Sequence, residues 1–497
     1  MNATPILLAT ALTLAHANAL SKPAEYLPSN LRPPAPMREF RGAWVATVAN
    51  IDWPSTNNLT TARQKAELRA IMDRAVRLKL NAIIFQVRPA CDALYASRIE
   101  PWSEYLTGRM GRPPKPFYDP LALAVEEAHR RGLELHAWFN PYRARYSQAK
   151  SPVSPDHISR THPDLVRRYG HYLWLDPGEK RVQDYVLSVI MDVVRRYDID
   201  GVHFDDYFYP YPERDASGRA LGFPDEASWR RYGEHAKLSR DDWRRQNIDS
   251  FIHRVYESIK AEKPWVKFGI SPFGIWRPGH PPQIKGFDPY ESLYADSRKW
   301  LAEGWVDYFS PQLYWPIAAP GQSFPVLLRW WAAQNVKGRH LWPGLNDYQV
   351  GRGWKAAEIV DQIRLVREQG GADGQVHWDM RKALMCANGL DTALEHTVYS
   401  EPALIPASPW LSHARPAPPQ LTVRFRARSL EARWSARGRE KVWLWVLQTR
   451  RAGKWTTEIL PGQVTRQPLR GPVPEAIAVT GVDRYESAGL PTVMRRQ

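Results

Sequence analysis

Cysteine is nearly absent: the 497 residues hold only Cys91 and Cys386, too few for a disulfide scaffold or a four-thiolate zinc site. No G-x-G-x-x-G turn, Walker loop or G-x-S-x-G elbow occurs, so dinucleotide, nucleotide and serine-hydrolase chemistry drop away. No histidines show the H-x-H or H-E-x-x-H spacing of a hydrolytic zinc site, and neither a metal nor a cofactor is expected. No apolar run reaches the roughly 18 residues that a spanning helix needs. Acidic residues are the minority, 52 Asp and Glu against 68 Lys and Arg, and the net charge of +16 points to anionic partners or surfaces.

The N-terminus reads as an export signal over residues 1–19. An apolar stretch from Pro5 to Ala15 precedes Ala17-Asn18-Ala19, a small-x-small cleavage pattern. No cysteine lies nearby to carry a lipid, so a periplasmic or secreted protein is expected. Export turns the positive charge toward envelope polymers and away from nucleic acid. It also leaves open whether Cys91 and Cys386 pair.

Residues 20–37 are proline-rich and read as a linker. From Arg38 a pattern then recurs: a short apolar, aromatic-rich run, a loop, and an amphipathic stretch. The runs begin at Phe40, Asn81, Glu134, Gly201, Lys267, Tyr308, His340 and Gln375. Helical periodicity follows most of them, as over 61–80, 120–133, 179–197 and 355–371. This alternation is the arithmetic of a (β/α)8 TIM barrel, an α/β fold, over 38–410. An open doubly wound sheet fits less well, because polar residues cluster after every run and not at one switch point. A proline linker at 411–420 precedes strand-like alternation over 421–497, which predicts a small C-terminal all-β sandwich. From 412 onward 16 Lys and Arg stand against 6 Asp and Glu, and Arg424, Arg426 and Arg428 should share one strand face. That basic face is a candidate for holding an anionic wall polymer.

Barrel enzymes carry their reactive groups at the C-terminal ends of strands. Reading the run ends in order nominates Asp52; Arg88 and Asp92; Trp138, Asn140, Tyr142 and Arg143; His203, Asp205, Asp206 and Tyr207; Trp276; Gln312 and Tyr314; Asp347; and Trp378 with Asp379. Such a mixture of carboxylates, amides, arginines and aromatic faces suits a sugar polymer. In the fourth run Val202 and Phe204 should face the helices, which aims His203, Asp205 and Tyr207 into the barrel. Glycoside hydrolysis needs two carboxyl groups, and neighbouring carboxylates raise each other's pKa. Asp205 is the expected central catalytic group, with Asp206 or Asp347 as partner and Asp379 or Asp92 as further options. A non-catalytic glycan-binding barrel is the alternative, since no Glu stands at a strand end.

Several segments together resemble the glycosyl-hydrolase-like 10 family of bacterial envelope proteins. They are EFRGAWVATVANIDWPS from Glu39, QVRPACDALYAS from Gln86, PWSEYLTG from Pro101, HAWFNPYRA from His136, DGVHFDDYFYPYP from Asp200, FPDEASWRRYG from Phe223, DWRRQNID from Asp242 and KFGISPFGIW from Lys267. The resemblance implies a (β/α)8 barrel that cuts the glycan strands of peptidoglycan, favouring strands stripped of peptide. The strand-four motif is also similar to the amylase-type nucleophile segment, with Asp205 on the nucleophile. AIAVTGVDRYES from Ala476 resembles the last strands of a fibronectin type III module.

Overall fold

The computed structural model describes residues 25–497 apart from 236, 427–428 and 439–440. The export signal expected over 1–19 and Arg428 lie outside them.

Eight parallel strands form the barrel: β1 Phe40–Val45, β2 Ala82–Arg88, β3 Glu134–Phe139, β4 Gly201–Phe204, β5 Lys267–Ile270, β6 Tyr308–Phe309, β7 in two pieces at His340–Leu341 and Gly344–Leu345, and β8 Gly374–His377. The first piece of β7 pairs with β6, the second with β8, and β8 pairs with β1. Pro343 has no N–H to give the ladder, which splits β7. Backbone bonds still span the break, from Trp342 N to Phe309 O at 2.9 Å, Gly344 N to Pro311 O at 2.9 Å and Val376 N to Pro343 O at 3.0 Å, and the sheet closes. Helices Thr61–Arg77, Pro120–His129, Lys180–Arg196, Arg240–Glu262, Phe324–Gln334 and Ala356–Gln369 pack outside. Among the described residues no helix is long and apolar enough to cross a membrane.

Large rings fill the barrel axis, including Phe40, Trp44, Trp138, Tyr308 and Trp342. Glycines make room for them. A Cβ on Gly201 would stand 2.6 Å from the His136 ring, and one on Gly269 would stand 2.0 Å from Tyr308. Between β3 and β4 the chain adds a three-stranded antiparallel sheet of Arg143–Arg145, Val166–Tyr169 and Tyr172–Leu175. Periodicity passed over that insert because its strands are three or four residues long.

The C-terminal unit packs a three-stranded sheet on a five-stranded one around Trp434, Trp445, Leu447 and Ile477. Its edge corrects the reading of 20–37 as a plain linker: Tyr26–Pro28 pairs antiparallel with Thr492–Arg496. The few local apolar residues there gave no strand signal, but Tyr26 finds a distant core to enter. Pro416, in the other linker, is buried. The sandwich plugs the N-terminal end of the barrel. Arg484 reaches Asp200 at 2.6 Å and Asp198 at 3.1 Å, Trp443 stands edge-on to His129, and Glu486 is fully buried. Cys91 is buried and Cys386 exposed, both as free thiols.

Candidate active site

At the C-terminal end of the barrel a cleft of about 250 Å³ is lined by Trp44, Val48, Ile51, Gln86, Trp138, Arg143, Tyr146, Asp205, Asp206, Tyr207, Ser271, Gln312, Tyr314 and Trp378. Strand alternation places its key residues. Val202 and Phe204 enter the helix-facing core, and the chain leaving β4 delivers Asp205 and Asp206 to the cleft. They are the only carboxylates in its lining.

Asp205 is 6% exposed and receives Asn140 Nδ2 on Oδ2. The Asn140 amide oxygen is held in turn by Gln86 Nε2 at 2.6 Å and Arg143 Nη2 at 2.7 Å. Gln86 is itself locked, since its Oε1 accepts the backbone N–H groups of Thr47 and Val48. Burial and the Asp206 charge push the Asp205 pKa up to about 7, against the pull of Arg143 and the Asn140 hydrogen bond. Burial also raises Asp206, while donors from Tyr211 and Gln312 favour its charged form. Both carboxyls are thus raised, and as close neighbours they titrate as a coupled pair. Trp138 Nε1 and Ser271 Oγ are buried without a hydrogen-bond partner and are placed to bond a ligand's hydroxyls.

The other nominated residues stand away from the cleft lining. Asn140 supports Asp205 from behind. His203 lies one layer below, fully buried, accepting from Trp44. Asp52 accepts the backbone N–H groups of Ala46 and Arg381, tying the β1 loop to the β8 loop. Arg88 is paired with Glu100 at 2.6 Å and donates to the Asn140 and Pro141 carbonyls. Asp92 takes the Ala90 N–H, and burial lifts it to about 7. Tyr142 packs in the core against Phe251, and Trp276 donates to Asp296 at 3.0 Å. Asp347 is fully buried and bound to His377 at 2.6 Å, and Asp379 caps the turn over Met380–Leu384. Two reasons cover these departures: a strand-end carboxylate is often needed by nearby backbone N–H groups, and the turn after a strand carries the next residues out of the mouth.

Sequence reasoning missed Trp44, Gln86 and Tyr146, together with Tyr211 on Asp206. Trp44 and Gln86 sit inside β1 and β2, before the residues at which those strands stop. Barrel alternation, counted inward from the ends, is the signal that finds them. Among the described residues no three of His, Cys, Asp and Glu converge on a position that could hold a metal ion.

A closed (β/α)8 barrel with a buried carboxylate pair in an aromatic-walled cleft defines a glycosidase-type barrel protein. The chain belongs to the glycosyl hydrolase-like 10 family, whose model matches residues 39–359. It is 42% identical over 398 residues to Glycosyl hydrolase YngK of Bacillus subtilis (strain 168), covering 78% of this chain and 76% of that protein. To Glycosyl hydrolase DigH of Escherichia coli (strain K12) it is 38% identical over 374 residues, 70% of this chain and 83% of the relative. Among solved structures, the catalytic domain of β-amylase from Paenibacillus polymyxa gives a TM-score of 0.47 at 10% identity, covering 73% of this chain and 98% of that one. The PgaB (BpsB) glycoside hydrolase domain from Bordetella bronchiseptica gives 0.43 at 14%, covering 74% and 97%.

Proposed function

We propose that this protein is an exported glycoside hydrolase that cleaves the glycan strands of peptidoglycan, with Asp205 and Asp206 as its catalytic pair and no cofactor. The observation that carries this reading is the consecutive, buried carboxylate pair facing a sugar-sized aromatic cleft. Asp205, with its pKa near 7, is the proton donor to the leaving glycosidic oxygen. Asp206, served by Tyr211 and Gln312, is the charged member that attacks the anomeric carbon or activates water. Trp44, Trp138, Tyr314 and Trp378 stack on sugar faces, and Trp138 Nε1 and Ser271 Oγ bind hydroxyls. Family membership supports the glycosidase chemistry, and the apolar N-terminal stretch supports export. The sandwich, with its exposed Arg424, is the part we assign to an anionic wall polymer. The test is incubation with purified glycan strands. New reducing ends that vanish in Asp205→Asn support hydrolysis at this pair, whereas binding without new ends makes the protein a glycan-binding barrel.

A further inference from the structure

A second concavity, of about 660 Å³, opens on the same end of the barrel, between the loop that follows β1 and the loop that follows β2. Phe117 stands on its rim and is 65% exposed, the most open aromatic ring among the described residues. Trp102 meets that ring edge-on, with centroids 6.1 Å apart. Asn57 and Asn58 bring side-chain amides to the lining, Arg112 and Lys115 bring cations, and no carboxylate belongs to it.

The walls are fixed in place. Gln64, buried in the floor, donates to the Leu106 carbonyl at 2.7 Å and accepts from Tyr118 at 2.8 Å. Thr61 Oγ1 donates to the Pro116 carbonyl at 3.0 Å, and Thr107 and Arg112 bond each other's carbonyls at 2.9 and 2.5 Å. A preformed site loses little order when a ligand enters. One loop joins it to the Asp205–Asp206 cleft: Val48 and Ile51 line the cleft, and Asn57 and Asn58 line the concavity. The six residues from Ile51 to Asn57 span at most about 22 Å. Asn50 pins the ridge between them, donating to the Pro54 carbonyl at 2.9 Å and to that of Tyr105 at 2.8 Å.

We infer that this concavity is a distal subsite that grips a 2-acetamido sugar of the same glycan strand that enters the Asp205–Asp206 cleft, a few sugars along. The inference rests on the proposed hydrolase reading for the identity of the strand and adds a second attachment point to it. The C–H face of a sugar ring stacks on an open aromatic such as Phe117. An acetamido group offers one N–H and one carbonyl oxygen, and an asparagine amide answers both. Arg112 and Lys115 have only hydrogens to donate, which suits the remaining hydroxyl and ether oxygens. Two attachment points on one strand make the second contact intramolecular, so affinity rises for long strands alone.

The test uses the full chain and glycan strands fractionated by length. Wild-type KM should fall about tenfold between fragments that fill only the cleft and strands long enough to reach Phe117. Phe117→Ala should raise KM for the long strands about tenfold with kcat held, and leave KM for the short fragments unchanged. Phe117→Trp restores a stacking face and should recover the wild-type value, while the Asn57→Ala, Asn58→Ala pair should weaken long strands without touching the ring. Equal wild-type KM for short and long strands, or a long-strand KM unmoved by Phe117→Ala, overturns the inference. Kd is measured in parallel on Asp205→Asn, with and without Phe117→Ala. A length-dependent Kd that Phe117→Ala abolishes, in a protein whose wild type cuts nothing, supports the subsite and overturns only the hydrolase reading. A wild-type dimer that Phe117→Ala converts to a monomer in sedimentation assigns the ring to a second copy of the chain and overturns the subsite.

Discussion

Trp44 donates its indole N–H to Nε2 of His203 at 3.0 Å, joining the cleft wall to the barrel interior. An indole nitrogen can only donate, so His203 carries its proton on Nδ1 and gives it to Tyr308 Oη at 2.9 Å. Tyr308 then donates to His136 Nδ1 at 2.8 Å, and His136 Nε2 donates to Glu134 at 2.8 Å. Glu134 also holds Lys267 at 2.5 Å, beside the buried Glu486 of the sandwich. One hydrogen-bonded line thus runs from the Asp205–Asp206 cleft to the plugged end.

His203→Ala should lower stability by about 2–4 kcal/mol, since it opens a cavity and strands a buried indole N–H. Burial pushes the His203 pKa well below the ordinary value, so the ring is neutral in the fold. Its contribution is present above the unfolded pKa and is lost as pH falls below it, because protons bind the unfolded chain better. Urea melts from pH 8 to 5 check this: wild type should weaken toward acid, and His203→Ala should weaken less steeply.

Asp205→Asn should abolish glycan cleavage and raise the melting temperature above pH 7. The folded pKa of Asp205 lies above its unfolded value, so the folded state binds the extra proton and stability falls as pH rises toward 7. An amide removes that penalty. The general-acid role proposed for Asp205 requires it to be protonated, so wild-type kcat should decline above about pH 7. Asp206→Ala removes the neighbouring negative charge and Arg143→Ala the positive one. The first lowers the Asp205 pKa and the second raises it, which melts or NMR titration of each variant can read.

Arg484→Ala should destabilise by about 3 kcal/mol, because it leaves buried Asp200 without a cation that holds its pKa down. A chain ending at Trp410 should fail to stay soluble, since it uncovers Glu134, Lys267 and Leu404, the last packed in the whole chain against Trp443 and Leu444 of the sandwich. Thermal melts and sedimentation decide; a truncated chain melting like wild type would mean that the plug contributes nothing to the barrel.

Trp138→Phe should raise KM about tenfold, losing an N–H aimed at substrate and part of a stacking face. Tyr142→Phe should leave kcat and KM unchanged and not lower stability, because its hydroxyl is buried without a partner in the core. Steady-state kinetics on glycan strands separate the two aromatics, Trp138 inside β3 and Tyr142 in the turn just beyond its end.

Local chemistry was enough for the strands and for part of the mouth. The eight apolar runs, the 3.6-residue periodicity between them and the Val202/Phe204 alternation are properties of neighbouring residues, so β1 to β8 and the direction of Asp205 could be read directly. Turn geometry and long-range partners were beyond that reach. Asp347 and Asp379 look like Asp205 in sequence, but His377 and a backbone N–H claim them in space. Gln86 and Trp44 looked like core, and only closure of the barrel turns them toward the cleft. The sandwich shows the same limit most plainly. Tyr26 meets Arg496, and Arg484 meets Asp200, across hundreds of residues, where burial of a distant apolar face and an unpaired charge choose the contact and no local pattern records it.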